Sequence, residues 1–191
     1  MKQLILLAVI LILSFSSYAQ DSKFSVEVNY PVSFGDSYFG EAYDGIVDIG
    51  AKYQIINLDL ISLGTSLNAG IFKNQDERLA EFIDVYVYTI QPGIFGELNL
   101  PSLSRLRPSV GVGYSFIIFD QINQSPLLDR ESFSETEGGI NLNFGIAYDL
   151  TSRLFVQIQY DYIKLLTQDD YLRTTVNSKI NIFKAGLGYR F

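Results

Sequence analysis

From Phe24 onward, apolar and polar side chains alternate along the chain with a period of two, in eight separate segments. The first places Phe24, Val26, Val28, Tyr30, Val32 and Phe34 on one face and Ser25, Glu27, Asn29, Pro31 and Ser33 on the other. A period of two is the signature of a strand whose faces meet different surroundings. A second segment sets Val47, Ile49, Ala51 and Tyr53 against Asp48, Gly50, Lys52 and Gln54. A third sets Leu63, Thr65, Leu67, Ala69 and Ile71 against Gly64, Ser66, Asn68 and Gly70. The fourth is less regular: Tyr86, Tyr88, Ile90, Pro92 and Ile94 face one way, and Val85, Val87, Thr89, Gln91, Gly93 and Glu97 the other. Proline cannot donate to a ladder, so a bulge or a broken pairing is expected at Pro92.

The fifth segment carries Pro108, Val110, Val112, Tyr114, Phe116 and Ile118 opposite Ser109, Gly111, Gly113 and Ser115. In the sixth, Ile140, Leu142, Phe144, Ile146 and Tyr148 oppose Asn141, Asn143, Gly145 and Ala147. The seventh has Leu154, Val156, Ile158, Tyr160 and Tyr162 against Gln157, Gln159 and Asp161. The eighth has Phe183, Ala185, Leu187, Tyr189 and Phe191 against Lys184, Gly186, Gly188 and Arg190. Long polar breaks (35–45, 73–84, 120–139 and 165–178) alternate with short connections (55–59, 98–106 and 149–153). An even strand number with long loops at one end and turns at the other predicts an all-β fold: an eight-stranded antiparallel up-and-down β-barrel.

Alternation alone does not separate a membrane barrel from a soluble, lipocalin-like ligand-binding barrel, whose faces are reversed. The polar face decides. It is mostly Gly, Ser, Asn and Gln rather than the Lys, Glu and Thr of a water-facing sheet, which suits the crowded lumen of an eight-stranded barrel. The apolar face has Tyr and Phe near both strand ends, the pattern of interfacial girdles. A transmembrane barrel is therefore expected. The charges on its inward face are Glu27, Lys52, Glu97, Arg107, Asp161, Lys184 and Arg190. Strand heights place Asp161 beside Lys184, and Glu27 beside Arg190 across the closure of first and last strands. Buried charges must be paired, so these pairs predict a lumen plugged by salt bridges, with a gate for small ions as the alternative.

The beginning of the chain agrees with export. Lys2 precedes an apolar run from Leu4 to Leu13 and a small-residue segment ending Ser17-Tyr18-Ala19. This is the pattern of a secretory signal peptide over 1–19, too short for a membrane helix of about 20 apolar residues. The barrel domain then covers 20–191, a single domain. With no Cys, disulfides, thiol chemistry and lipoprotein processing are not expected. With no His, the commonest general base and metal ligand are missing. No catalytic, cofactor-binding or metal-binding set emerges, and no cofactor is expected. An excess of 21 acidic over 14 basic residues argues against nucleic acid. The four long breaks hold 14 acids and four bases (Lys73, Arg78, Arg130 and Arg173), predicting acidic loops. Asp169-Asp170 lacks the ligand spacing of a calcium loop.

The last eight residues, Lys184-Ala-Gly-Leu-Gly-Tyr-Arg-Phe191, resemble the C-terminal insertion signal of Gram-negative outer-membrane barrels. Lys184, Gly186, Tyr189 and Phe191 fill its polar, glycine and two aromatic places. Through strand number, leader and terminal signal, the chain resembles the small outer-membrane proteins of the OmpA and OmpX type. It equally resembles the porin-family "outer membrane protein beta-barrel domain". The resemblance implies outer-membrane lipid as surroundings, the barrel-assembly machinery as a partner of the last strand, and a non-catalytic role. That role would be envelope integrity, surface interaction with an extracellular partner at the loops, or narrow passage of solutes or ions. Barrel enzymes of this size rely on His, so that carry-over fails here.

Overall fold

In the computed structural model, residues 23–75, 83–123, 133–166 and 178–191 are described. They form β1 (Phe24–Phe34), a short helix α1 (Tyr38–Ala42), β2 (Tyr43–Asn57), β3 (Ile61–Asn74), β4 (Ile83–Leu98), a 3₁₀ turn (Pro101–Leu103), β5 (Leu106–Asn123), β6 (Phe133–Asp149), β7 (Leu154–Leu165) and β8 (Lys179–Arg190). Each strand pairs with its sequence neighbours, and β1 pairs with β8, closing the sheet. Closure leaves no strand edge to satisfy, which lets such a sheet stand in lipid. No helix among the described residues is long and apolar enough to cross a membrane, so any crossing falls to the strands. The expected leader, 1–19, lies outside the described residues.

The strands outrun their alternating cores. The expected break 120–139 narrows because β5 continues to Asn123 and β6 begins at Phe133. There the two strands pair outward as far as Gln121 with Phe133. The connection expected over 55–59 likewise shrinks, because β2 reaches Asn57 through a register shift between Gln54 and Ile56. A bulge adds one residue and flips the phase, which is why simple alternation stopped short. Pro92 keeps its register with β3 opposite Leu67, but pairing with β5 lapses between Ile90–Phe116 and Gly93–Gly113. The lapse is on one side only, without a shift.

β1 and β2 pair only from Phe24–Tyr53 to Asn29–Asp48. Beyond that point Pro31 has no N–H to give, and β2 shifts register between Gly45 and Val47. The two chains still touch: a β-carbon on Gly45 would lie 2.6 Å from Pro31 Cγ, so only glycine fits. Ser33 Oγ donates to the Tyr43 carbonyl and replaces one ladder bond. Gly35, at φ +95°, turns the chain over the rim into α1. Ser37 caps that helix, its Oγ accepting from the Gly40 N–H at 3.1 Å.

The outer wall is apolar. Ile94 and Leu67 are 60% and 52% exposed, whereas Lys184 inside is 1% exposed. Aromatic side chains flank this belt. Phe34 meets Tyr160, and Tyr114 meets Phe116, toward the loop end. Phe24 and Tyr189 both contact Phe191 at the turn end. An apolar exterior around buried ion pairs overturns the soluble, lipocalin-like reading, which requires the reverse.

The interior has two strata. Toward the turns it is polar, as the Gly, Ser, Asn and Gln face predicted. Toward the loops it is apolar, which alternation did not predict: Phe39, Tyr43, Phe72, Val87, Ile117, Ile163, Ile180 and Ile182 form one buried cluster. Phe39 enters from α1 and meets Phe72 edge-on at 5.1 Å. Burying each such side chain stabilises by about 1.5–3 kcal/mol, so this cluster holds α1 onto the barrel.

Candidate functional site

In the middle of the lumen Lys184 is buried with all three ammonium protons placed. Its Nζ lies 2.8 Å from Asp48 Oδ2, 2.8 Å from Asp161 Oδ2 and 3.0 Å from Gln91 Oε1. Each acceptor is itself held. Asp48 Oδ1 accepts from Asn29 and Asn68, and Asp161 Oδ1 accepts from Gln159 at 2.7 Å. Gln91 and Asn141 both donate to Ser115 Oγ at 3.1 Å, and Gln157 donates to Asn29 at 2.8 Å. Asn68 also donates to Glu27, which pairs with Lys52 at 2.9 Å. Every one of the eight strands contributes to this web. A buried charge is tolerated only when so satisfied, and a fully satisfied network rigidifies the interior that holds it.

Nearer the turns stands a second, separate quartet. Arg107 Nε lies 2.7 Å from Asp149 Oδ2, and its Nη1 lies 3.3 Å from Glu97 and 3.1 Å from Asn99. Arg190 bonds to Asp149 and stands 3.8 Å from Glu97. Its guanidinium lies 4.2 Å from the centre of the Phe155 ring, a cation–π contact. Two arginines and two carboxylates balance within this ring.

The structure thus brings Lys184 to Asp161, but it does not bring Glu27 to Arg190. Glu27 turns instead to Lys52, one step along β2, over Gly50, which leaves room for it. Arg190 extends across Phe155 to the far wall. In the register of β1 and β8, Arg190 stands opposite Ser25 and Glu27 opposite Gly188, so the two are two residues apart rather than level. Two lumen acids escaped the sequence reading. Asp48, at an inward position of β2, joins the lumen charges, and Asp149, expected in the 149–153 turn, is the last residue of β6. Of the insertion-signal residues, Lys184 and Gly186 face the lumen. Tyr189 falls on the outward positions, with Arg153 donating to its hydroxyl at 3.1 Å, and Phe191 is buried against the Phe24 and Tyr189 rings, its N–H donating to the Phe24 carbonyl at 3.0 Å. Among the described residues no cluster of potential metal ligands occurs.

Comparison with solved structures returns small surface barrels. Neisserial surface protein A aligns with a TM-score of 0.64 at 20% identity, over 88% of this chain and 97% of that one. Ail, the attachment invasion locus protein of Yersinia pestis, solved with the heparin analogue sucrose octasulfate, aligns at 0.58 and 12% identity, over 88% and 96%. A major outer membrane protein from Thermus thermophilus aligns at 0.56 and 15% identity, over 88% and 98%. At such identities the likeness concerns the fold alone. No curated protein matches the chain. A family model, the outer membrane protein beta-barrel domain, matches residues 5–191. With its closed eight-stranded wall, apolar exterior and polar core, this is an integral outer-membrane barrel protein, a bacterial outer membrane is its indicated location, and the chain belongs to the outer membrane protein beta-barrel domain family.

Proposed function

We propose that the protein is a non-catalytic, non-conducting barrel of a Gram-negative outer membrane, serving envelope integrity or surface interaction. One observation carries this reading: the lumen is crossed by side chains from all eight strands, bonded to one another and topped by an apolar cluster. Eight strands enclose just enough room for side chains, and ions crossing here would have to break several charge-assisted bonds. The long loops face the exterior and the short turns the periplasm, the usual orientation of such barrels. Insertion proceeds through the barrel-assembly machinery, which reads Lys184, Gly186, Tyr189 and Phe191 on the last strand. An extracellular partner at the loops would be cationic rather than a polyanion of the kind bound to Ail, since the four breaks carry 14 acids against four bases.

Planar bilayer recording tests this. The folded barrel is expected to give no discrete conductance steps. Steps that change in Lys184→Ala would instead establish the lumen as a gated ion path.

A further inference from the structure

Tyr53 on β2 and Tyr148 on β6 stand exposed on the outer wall near the turns, the place of an interfacial girdle. Beyond this level the two sides of the barrel differ. β6 ends one residue after its tyrosine, at Asp149, whereas β2 runs on to Asn57. The register shift between Gln54 and Ile56 turns two successive side chains outward there, Ile55 at 60% and Ile56 at 47% exposed. Leu58 and Leu60, each 57% exposed, continue the hairpin, and Ile61 opens β3. The Asn99 N–H donates to the Leu60 carbonyl at 2.9 Å, which sets the next turn alongside. That turn adds Leu98 and Leu103, the latter 56% exposed.

These aliphatic side chains run without a break into the belt above, since Ile61 pairs with Leu98 and Leu63 with Gly96. Strand order puts the β6–β7 turn four strands away around the closed sheet, on the opposite side. There Leu150 is followed by Thr151, Ser152 and Arg153. The apolar extension is therefore one-sided. An exposed patch of this kind marks a contact surface, for a protein or for a membrane. Its chemistry favours the membrane. Residues 55–61 and 98–105 include no aromatic residue and no Met, and their only charges are Asp59 and Arg105. Protein contacts are anchored chiefly by aromatic side chains.

We propose that the β2–β3 hairpin and the neighbouring 99–105 turn form an apolar foot seated in the lipid leaflet at the turn end. Seating one side deeper leans the barrel toward that side, while the 149–153 turn stands in water. This rests on the outer-membrane reading above, because the foot continues the lipid-facing wall.

The chain has no Cys, so a nitroxide can be attached at one chosen position in Leu58→Cys, Leu103→Cys, Ser152→Cys or Ile94→Cys. Heat-modifiable gel mobility shows that each labelled barrel is folded. Electron paramagnetic resonance in phosphatidylcholine nanodiscs, where water reaches both faces, then compares collisions with oxygen, which enters lipid, and with a water-soluble nickel chelate. The oxygen-to-nickel ratio at 58 and 103 is expected to lie severalfold above that at 152 and toward the value at 94. A ratio at 58 and 103 as low as at 152 would leave the foot in water, free for a periplasmic protein, and overturn the proposal. A ratio at 152 as high as at 58 would overturn the one-sided seating. Spin–spin broadening at 58 that vanishes on dilution with unlabelled barrel would put a second copy on the foot and overturn it too. A low ratio at 94 as well would strike at the outer-membrane reading itself, not at the foot alone.

Discussion

Lys184 is the residue on which the interior converges, because its ammonium sits between Asp48 and Asp161 with no water-facing side. Replacing one partner of such a buried set strands the others. Lys184→Met is therefore expected to destabilise the folded barrel by about 3–5 kcal/mol, read as a lower urea midpoint in detergent. Adding Asp48→Asn and Asp161→Asn to that variant is expected to recover much of the loss, because the uncompensated charges disappear. A midpoint unmoved by Lys184→Met would contradict the arrangement. The Lys184–Asp161 half of this site was legible from alternation, since both residues fall on inward positions of adjacent strands, one diagonal step apart in register. The Asp48 half was legible in principle by the same rule. The Glu27–Lys52 pairing was not, because it depends on the space over Gly50, which only the register between β1 and β2 supplies.

At the scale of elements, the strands were readable wherever each residue keeps its face. They became unreadable where a bulge changes phase, as between Gln54 and Ile56 and between Gly45 and Val47. The apolar stratum near the loops was hidden for a related reason. Phe72, Ile117, Ile163 and Ile182 alternate inward, but an apolar residue on both faces looks like a loss of pattern. The helix α1 is too short to show any periodicity. The weakest seam in the wall lies between β1 and β2 beyond Asn29–Asp48, where regular pairing stops. Amides of Tyr30–Phe34 and Tyr43–Val47 that point into this seam are expected to exchange with deuterium sooner than those of the paired halves of the same strands. Uniform protection along β1 and β2, measured by NMR in micelles, would contradict an open seam. Phe191 joins β8 to β1 through Phe24. Phe191→Ala is accordingly expected to slow insertion into vesicles while leaving the final barrel intact, as followed by the appearance of the folded gel band.

For the whole molecule, the reversal of polarity governs everything else. Apolar side chains stand outside and ion pairs inside, an arrangement water would not favour and a bilayer does. The same reversal accounts for the closed sheet, the aromatic bands and the chain's place in its family. It also explains why fold was legible where role is a matter for proposal. Lipid imposes a repeating demand on every strand, which a sequence records many times over. A partner at the loops would leave its mark on a few side chains in segments that obey no period.

The most direct measurement is the gel mobility of protein extracted from outer membranes in mild detergent, loaded with and without boiling. The account predicts that the unboiled protein, still a closed barrel, migrates at a different position from the boiled one, and that this form is confined to the outer-membrane fraction. Identical mobility in both samples, with the protein recovered in the soluble fraction, would contradict it.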